Sequence, residues 1–146
     1  MSPAGYSATP LWRKLGIKPG VTLTLVGAPR GFSVPDLPEG ATARRESAAA
    51  GESELELAVA FFRQRSTLEG SIARLSRRIF PAGALWIAWP RRAAGHESDI
   101  RDQDIRDLAL PLGLVDVKVA ALDQDWSGLR LVWRKERRAA SPARPG

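Results

Sequence analysis

The stretch from Val21 to Phe32 sets the tightest limit on how this chain folds. Val21, Leu23, Leu25 and Val26 form an apolar run broken only by Thr22 and Thr24, and it leads directly into Gly27, Ala28, Pro29, Arg30 and Gly31. A short aliphatic and β-branched run that stops at glycine reads as a buried strand ending in a tight turn. The first strand of a parallel α/β sheet has this form, and ligands of such sheets lie beyond the carboxyl ends of the strands. The rest of the chain reads as further strands and the helices that cover them.

Composition decides which chemistries remain open. The chain has 146 residues, 44% of them hydrophobic, enough for one domain with a real core. The absence of cysteine excludes disulfides, thiolate catalysis and cysteine-ligated zinc. His96 is the single histidine, so no paired-histidine metal site exists. No apolar signal region opens the chain and no run of about 18 apolar residues occurs, which predicts a cytoplasmic protein with no membrane segment. The net charge is +6. Much of it sits after Trp133, where Arg134, Lys135, Arg137, Arg138 and Arg144 face only Glu136. The pattern predicts a single domain over 5–135 and a disordered basic tail over 136–146.

In chain order, Thr9 caps a short helix that opens at Pro10 and stops at Gly16, with Leu11, Trp12 and Leu15 on one face. After Gly31, Pro35 and Pro38 allow one helical turn at most. Ala41 to Glu46 reads as a short edge strand whose Arg44 and Arg45 suit exposure. Leu55 to Phe62 is nearly all apolar at its end, as in a strand covered on both faces. Ser66 and Glu69 form a capping box for a helix with Leu68, Ile72, Leu75 and Ile79 inward. Ala84 to Pro90 is a third apolar strand. Ser98 caps a second long helix, with Asp99 and Asp102 favouring its dipole and Ile105, Leu108 and Leu112 inward. Val115, Val117, Val119 and Ala121 alternate along a half-exposed strand. A hairpin loop, Asp123 to Gly128, returns the chain through Leu129, Leu131 and Trp133. The expected fold is a three-layer, Rossmann-like α/β domain, mostly parallel and closed by an antiparallel C-terminal hairpin.

That terminal hairpin resembles the class I methyltransferase fold, in which the last strand inserts antiparallel. Pro19 to Gly27 resembles its first strand and motif, Phe80 to Ile87 the turn into its fifth strand, and Leu112 to Val119 its last helix-to-strand passage. The chain also resembles a small uncharacterised bacterial family, a domain of unknown function. The segments that carry this are Gly5 to Leu11 (GYSxTPL), Lys14 to Gly20 (KLGIKPG), Leu85 to Pro90 (LWIAWP) and Trp126 to Leu129 (WSGL). The methyltransferase resemblance implies a glycine-rich turn for S-adenosylmethionine and an acid at the end of the second strand for its ribose. Here Gly27 and Gly31 are the glycines of that turn, Pro29 removes a donor, and Glu46 is the only acid near the second strand's end. The linker to residue 55 leaves little room for the fold's usual third strand.

Five arginines come after strand ends: Arg30 after the first, Arg63 and Arg65 after the next strong strand, Arg91 and Arg92 after the third. Guanidinium groups suit phosphate or carboxylate, so these ends form an anion-binding rim, with Tyr6, Trp89 and Trp126 as aromatic walls. His96 reads as a solvated loop residue. Asp99, Asp102, Asp104 and Asp107 read as a solvated helix face paired with Arg101 and Arg106. Asp123 and Asp125 read as turn formers, and Ser127 has no base to activate it. The expectation is a non-catalytic binding or interaction module, with no cofactor, for an anionic small molecule or a protein partner through Gly27, Arg30, Gly31, Arg63, Arg65, Trp89, Arg91 and Arg92. The alternatives are a minimal S-adenosylmethionine-dependent methyltransferase and, less favoured, a nucleic-acid-binding protein.

Overall fold

The computed structural model describes residues 9–47 and 51–139. Its elements, in chain order, are α1 (Leu11–Leu15), β1 (Thr22–Val26), β2 (Thr42–Glu46), β3 (Leu57–Phe61), α2 (Arg65–Arg78), β4 (Ala84–Pro90), α3 (Asp102–Ala109), β5 (Leu114–Ala121), β6 (Trp126–Trp133) and α4 (Lys135–Ala139). Short 3-10 turns cover Arg92–Ala94 and Leu110–Leu112. The strands form one six-stranded sheet in the order β2-β1-β3-β4-β6-β5. The β1–β2, β1–β3 and β3–β4 pairs are parallel. β6 then inserts antiparallel between β4 and β5. This is the expected mixed sheet, with six strands among the described residues.

Alternation along the central strands divides the core between the two faces. Leu85, Ile87, Leu129 and Leu131 look toward α2 and α3, where Leu68, Ile72, Leu75, Ile79 and Ile105 pack on them. Full burial of each such side chain stabilises by about 1.5–3 kcal/mol, which is what docks α2. The other face, with Leu23, Leu25, Val59 and Trp86, is covered more thinly by Leu15, Ile17, Phe32 and Val34. The layer there is one five-residue helix and a loop, so polar bonds supplement it. Trp86 Nε1 donates to Leu15 O at 3.1 Å, Lys14 Nζ to Ala121 O at 2.8 Å, and Lys118 Nζ to Lys14 O at 3.3 Å. Burial, with Arg91 and Lys118 nearby, lowers the Lys14 pKa.

Between β1 and β2 no helix forms, as the prolines dictate. Several boundaries depart from expectation. α2 begins at Arg65, with Gln64 at the cap position and no side-chain cap bond. Ser66 therefore lies inside the first turn, and Glu69 bonds Arg65 Nε at 2.9 Å instead. α3 begins at Asp102 rather than after Ser98. Ser98 Oγ instead accepts the Ile100 N–H at 3.1 Å, making a local turn before the helix. Asp99 accepts the Arg65 N–H at 2.8 Å, serving the start of α2 and not its own helix.

β5 is the larger departure. Its register skips between Asp116 and Lys118, so Val117 is an extra bulge residue. One extra residue reverses the facing of the residues after it, and Val117 and Val119 are 50% and 48% exposed on an edge strand. The tail is also partly ordered. Lys135–Ala139 is helical, anchored by the Arg134 N–H to Gly113 O at 3.0 Å and the Arg138 N–H to Arg134 O at 3.1 Å. Residues 140–146 lie outside the described residues, as does Tyr6. No described helix is long and apolar enough to cross a membrane.

Candidate functional site

The strand order reverses direction between β1 and β3, which makes the crevice beyond their carboxyl ends the switch point of the sheet. A cleft of about 350 Å³ lies there, within the size range of small-molecule sites. Gly27 and Pro29 line it from β1, Phe61 and Arg63 from β3, and Gln64, Thr67 and Trp126 complete it. Among the described residues no carboxylate lines it.

Each element delivers its part for a local reason. β1 ends at Gly27, which turns the chain with φ +66°, a conformation that costs glycine little. Gly31 has no positive φ and open space around it, so only the first glycine is required by the turn. The loop from Pro29 to Phe32 is held by Arg45 of β2, which donates to the carbonyls of both residues. Beyond β3, Phe61 meets Phe32 and Trp126 edge-on, with ring centroids 4.8 and 5.0 Å away. Arg63 then lies over the Trp126 ring at 5.0 Å and makes no ion pair among the described residues. The N-terminus of α2 opens on the same crevice. Its Arg65 N–H is taken by Asp99, while the donors of Ser66 and Thr67 have no helical partner, as at any helix start, and no acid sits in that first turn.

Three other arginines of the rim are committed elsewhere. Arg65 pairs with Glu69 at 2.9 Å and Asp104 at 3.1 Å. Arg91 Nη1 donates to the carbonyls of Asp123 and Gln124, both at 3.2 Å, and Arg92 Nη2 to Ser98 O at 2.7 Å. Arg30 is exposed on the loop. Trp89 is 8% exposed and packs in the core beneath α2 and α3. The structure therefore brings together Gly27, Arg63 and Trp126 and directs Arg65, Trp89, Arg91 and Arg92 to structural contacts. Sequence reasoning missed Phe61, Gln64 and Thr67, although the switch-point rule points to residues just after β3.

His96 is exposed on its loop, and its Nε2 lies 2.8 Å from Asp125 Oδ1, itself exposed. Asp123 Oδ1 accepts the N–H groups of Asp125 and Trp126 at 2.8 Å each, so its role is to form the turn. Among the described residues no cluster of three metal-ligating side chains occurs.

Glu46 decides how the crevice is read. It ends β2 beside Gly27, whose N–H its carbonyl accepts at 2.9 Å. Its carboxylate, however, is held by Arg78 of α2 through two bonds of 2.9 and 3.0 Å, with side-chain exposures of 6% and 3%. Arg44 adds a contact at 3.4 Å. The hydrogen bonds from Arg78 hold the Glu46 carboxyl below its ordinary pKa.

No protein-family model matches the chain, and no curated protein matches it by sequence. Solved structures match its fold. A SAM-dependent methyltransferase from Aquifex aeolicus is 14% identical, with a TM-score of 0.56 over 83% of this chain and 86% of that one. Magnesium protoporphyrin IX methyltransferase (ChlM) from Synechocystis PCC 6803, with bound SAM, is 12% identical, with a TM-score of 0.59 over 85% and 74%. A pericyclic reaction enzyme is 9% identical, with a TM-score of 0.58 over 86% of this chain and 47% of that one. The chain has a methyltransferase-like Rossmann fold. These proteins carry different reactions on a shared framework, so the fold does not fix the chemistry.

Proposed function

We propose that the chain is a binding module on a methyltransferase-type framework, and that its switch-point cleft holds a small anion with a flat apolar part. The observation that carries this is Arg63: a guanidinium over Trp126, without an ion pair among the described residues, at the mouth of a cleft with no carboxylate in its described lining. The Ser66 and Thr67 donors and the α2 dipole favour negative charge at the same place. Trp126 and Phe61 line the same cleft and make that part of its wall apolar.

S-adenosylmethionine fits these residues less well. Its ribose calls for a free acid beside the glycine turn, and Glu46 is spent on Arg78. Pro29 also removes a backbone donor from the turn. The second reading, a minimal methyltransferase, is favoured by the fold likeness to a protein with bound SAM. Calorimetric titration with phenyl phosphate tests the first. Saturable binding that Arg63→Ala weakens at least tenfold supports it; binding unaffected by that substitution refutes it.

A further inference from the structure

A second cleft, of about 470 Å³, opens at the opposite end of the sheet, where β1, β3 and β4 begin. Its floor is apolar, formed by Val21, Leu57, Ile79 and Ala84. Its lining carries both signs of charge: Arg130, beside Gly16, and Lys18 are basic, and Glu54 and Glu56 are acidic.

Arg130 is the informative residue. It stands on β6 opposite Trp86 on one side and Lys118 on the other. It is half-buried, and its Nε is fully buried with no hydrogen-bond partner among the described residues. Its guanidinium makes no ion pair there either. The Nε is covered by protein, but the charge as a whole is half withdrawn from water and, among the described residues, unpaired, which favours a negative partner in the cleft. Gly16, at φ +81°, lies beside it: a Cβ there would sit in ordinary contact, 3.7 Å from Nη2. A carboxylate presents two oxygens to such a fork.

The acidic lining keeps a free acceptor. Glu56 uses Oε1 for the Thr22 N–H at 3.1 Å, which leaves Oε2 to accept. The carbonyls of Glu56 and Ile79 already accept the Ala84 and Gly83 N–H groups, at 3.0 and 2.8 Å, so the side-chain carboxylates are what the cleft offers a cation. A phosphate would gain from Arg130 but face Glu54 and Glu56. An amine alone would leave Arg130 unmet.

We infer that this cleft binds a small zwitterion with an apolar body, a free amino acid, its carboxylate on Arg130 and its ammonium toward Glu54 and Glu56. The apolar floor takes the side chain. The site is separate from the switch-point cleft and independent of what that cleft holds.

Amide NMR titration of the full chain tests this with four probes: leucine, 4-methylpentanoate (leucine without its ammonium), isopentylamine (without its carboxylate) and inorganic phosphate. Leucine should shift the Gly16 and Gly83 amides saturably, leave Gly27 unmoved, and bind at least tenfold tighter than the other three. Arg130→Met should weaken leucine binding at least tenfold and Glu56→Gln about fivefold. If Arg130→Met fails to fold, Glu56→Gln and Lys18→Ala decide. The inference is overturned if phosphate or 4-methylpentanoate shifts the Gly16 and Gly83 amides as tightly as leucine does, if leucine gives no saturable shift of them, or if the cleft variants that fold bind leucine as the wild type does.

Discussion

Arg78 closes on Glu46 with both terminal guanidinium nitrogens, Nη1 and Nη2, at 2.9 and 3.0 Å, and joins the end of α2 to the end of the edge strand β2. The same guanidinium donates through Nε to Ser53 O at 2.7 Å, so it also fixes the approach to β3. Removing either partner leaves a buried charge uncompensated. Glu46→Gln or Arg78→Ala should lower unfolding stability by on the order of 3 kcal/mol, read as a fall in the urea midpoint. Asp116→Asn, which breaks the more exposed Arg106–Asp116 contact of 2.8 Å, should cost no more than about 1 kcal/mol.

Acid sensitivity arises from the same pair. The carboxyl of Glu46 is depressed below its ordinary pKa by hydrogen bonds from Arg78, and that of Asp116 by Arg106. A depressed carboxyl adds stability above the unfolded pKa and loses it as pH falls through the folded one. The urea midpoint of the wild type should hold from neutral pH to about 4.5 and fall below it. Glu46→Gln should start lower and show a shallower acid limb; an unchanged limb would exclude this contribution.

Gly128 sets the fit of β6 over Trp86. A Cβ there would meet Trp86 Cε3 at 2.9 Å and both Leu122 methyls at 3.0 Å. Trp86 and Leu122 are fully buried, so neither yields cheaply. Gly128→Ala should destabilise by about 1–3 kcal/mol, measured by thermal or urea unfolding.

Val117 tests the bulge. The alternation of Val115, Val117, Val119 and Ala121 places these side chains on one face, yet the register skips at Val117, and Val117 and Val119 are both exposed. Val119→Lys should change stability by less than about 0.5 kcal/mol. Leu129→Ala, on the facing strand and fully buried, should cost about 2–5 kcal/mol.

The elements legible in the sequence are those set by local pattern. The apolar runs at Val21, Leu57 and Ala84 form strands, and the spacing of Leu68, Ile72, Leu75 and Ile79 forms a helix face. The prolines at 35 and 38 do prevent a helix. The hidden features are set by contacts between distant segments. No local signal couples Glu46 to Arg78, or Arg65 to Asp104. Ser66 and Ser98 carry capping patterns, but α2 and α3 start where Asp99 and Asp104 accept the N–H groups of Arg65 and Arg101. At the rim, strand order puts the arginines at one edge. It does not reveal that carbonyls of the hairpin loop occupy Arg91 while Arg63 stays open.

On the proposed reading, Glu46 is committed to Arg78 and the switch-point cleft serves an anion instead of S-adenosylmethionine. Isothermal calorimetry with S-adenosylmethionine and S-adenosylhomocysteine on the wild-type protein tests this most directly. The expected result is no saturable heat at micromolar to submillimolar ligand under conditions where phenyl phosphate binds. Micromolar binding of either nucleoside, lost in Glu46→Gln, would contradict it.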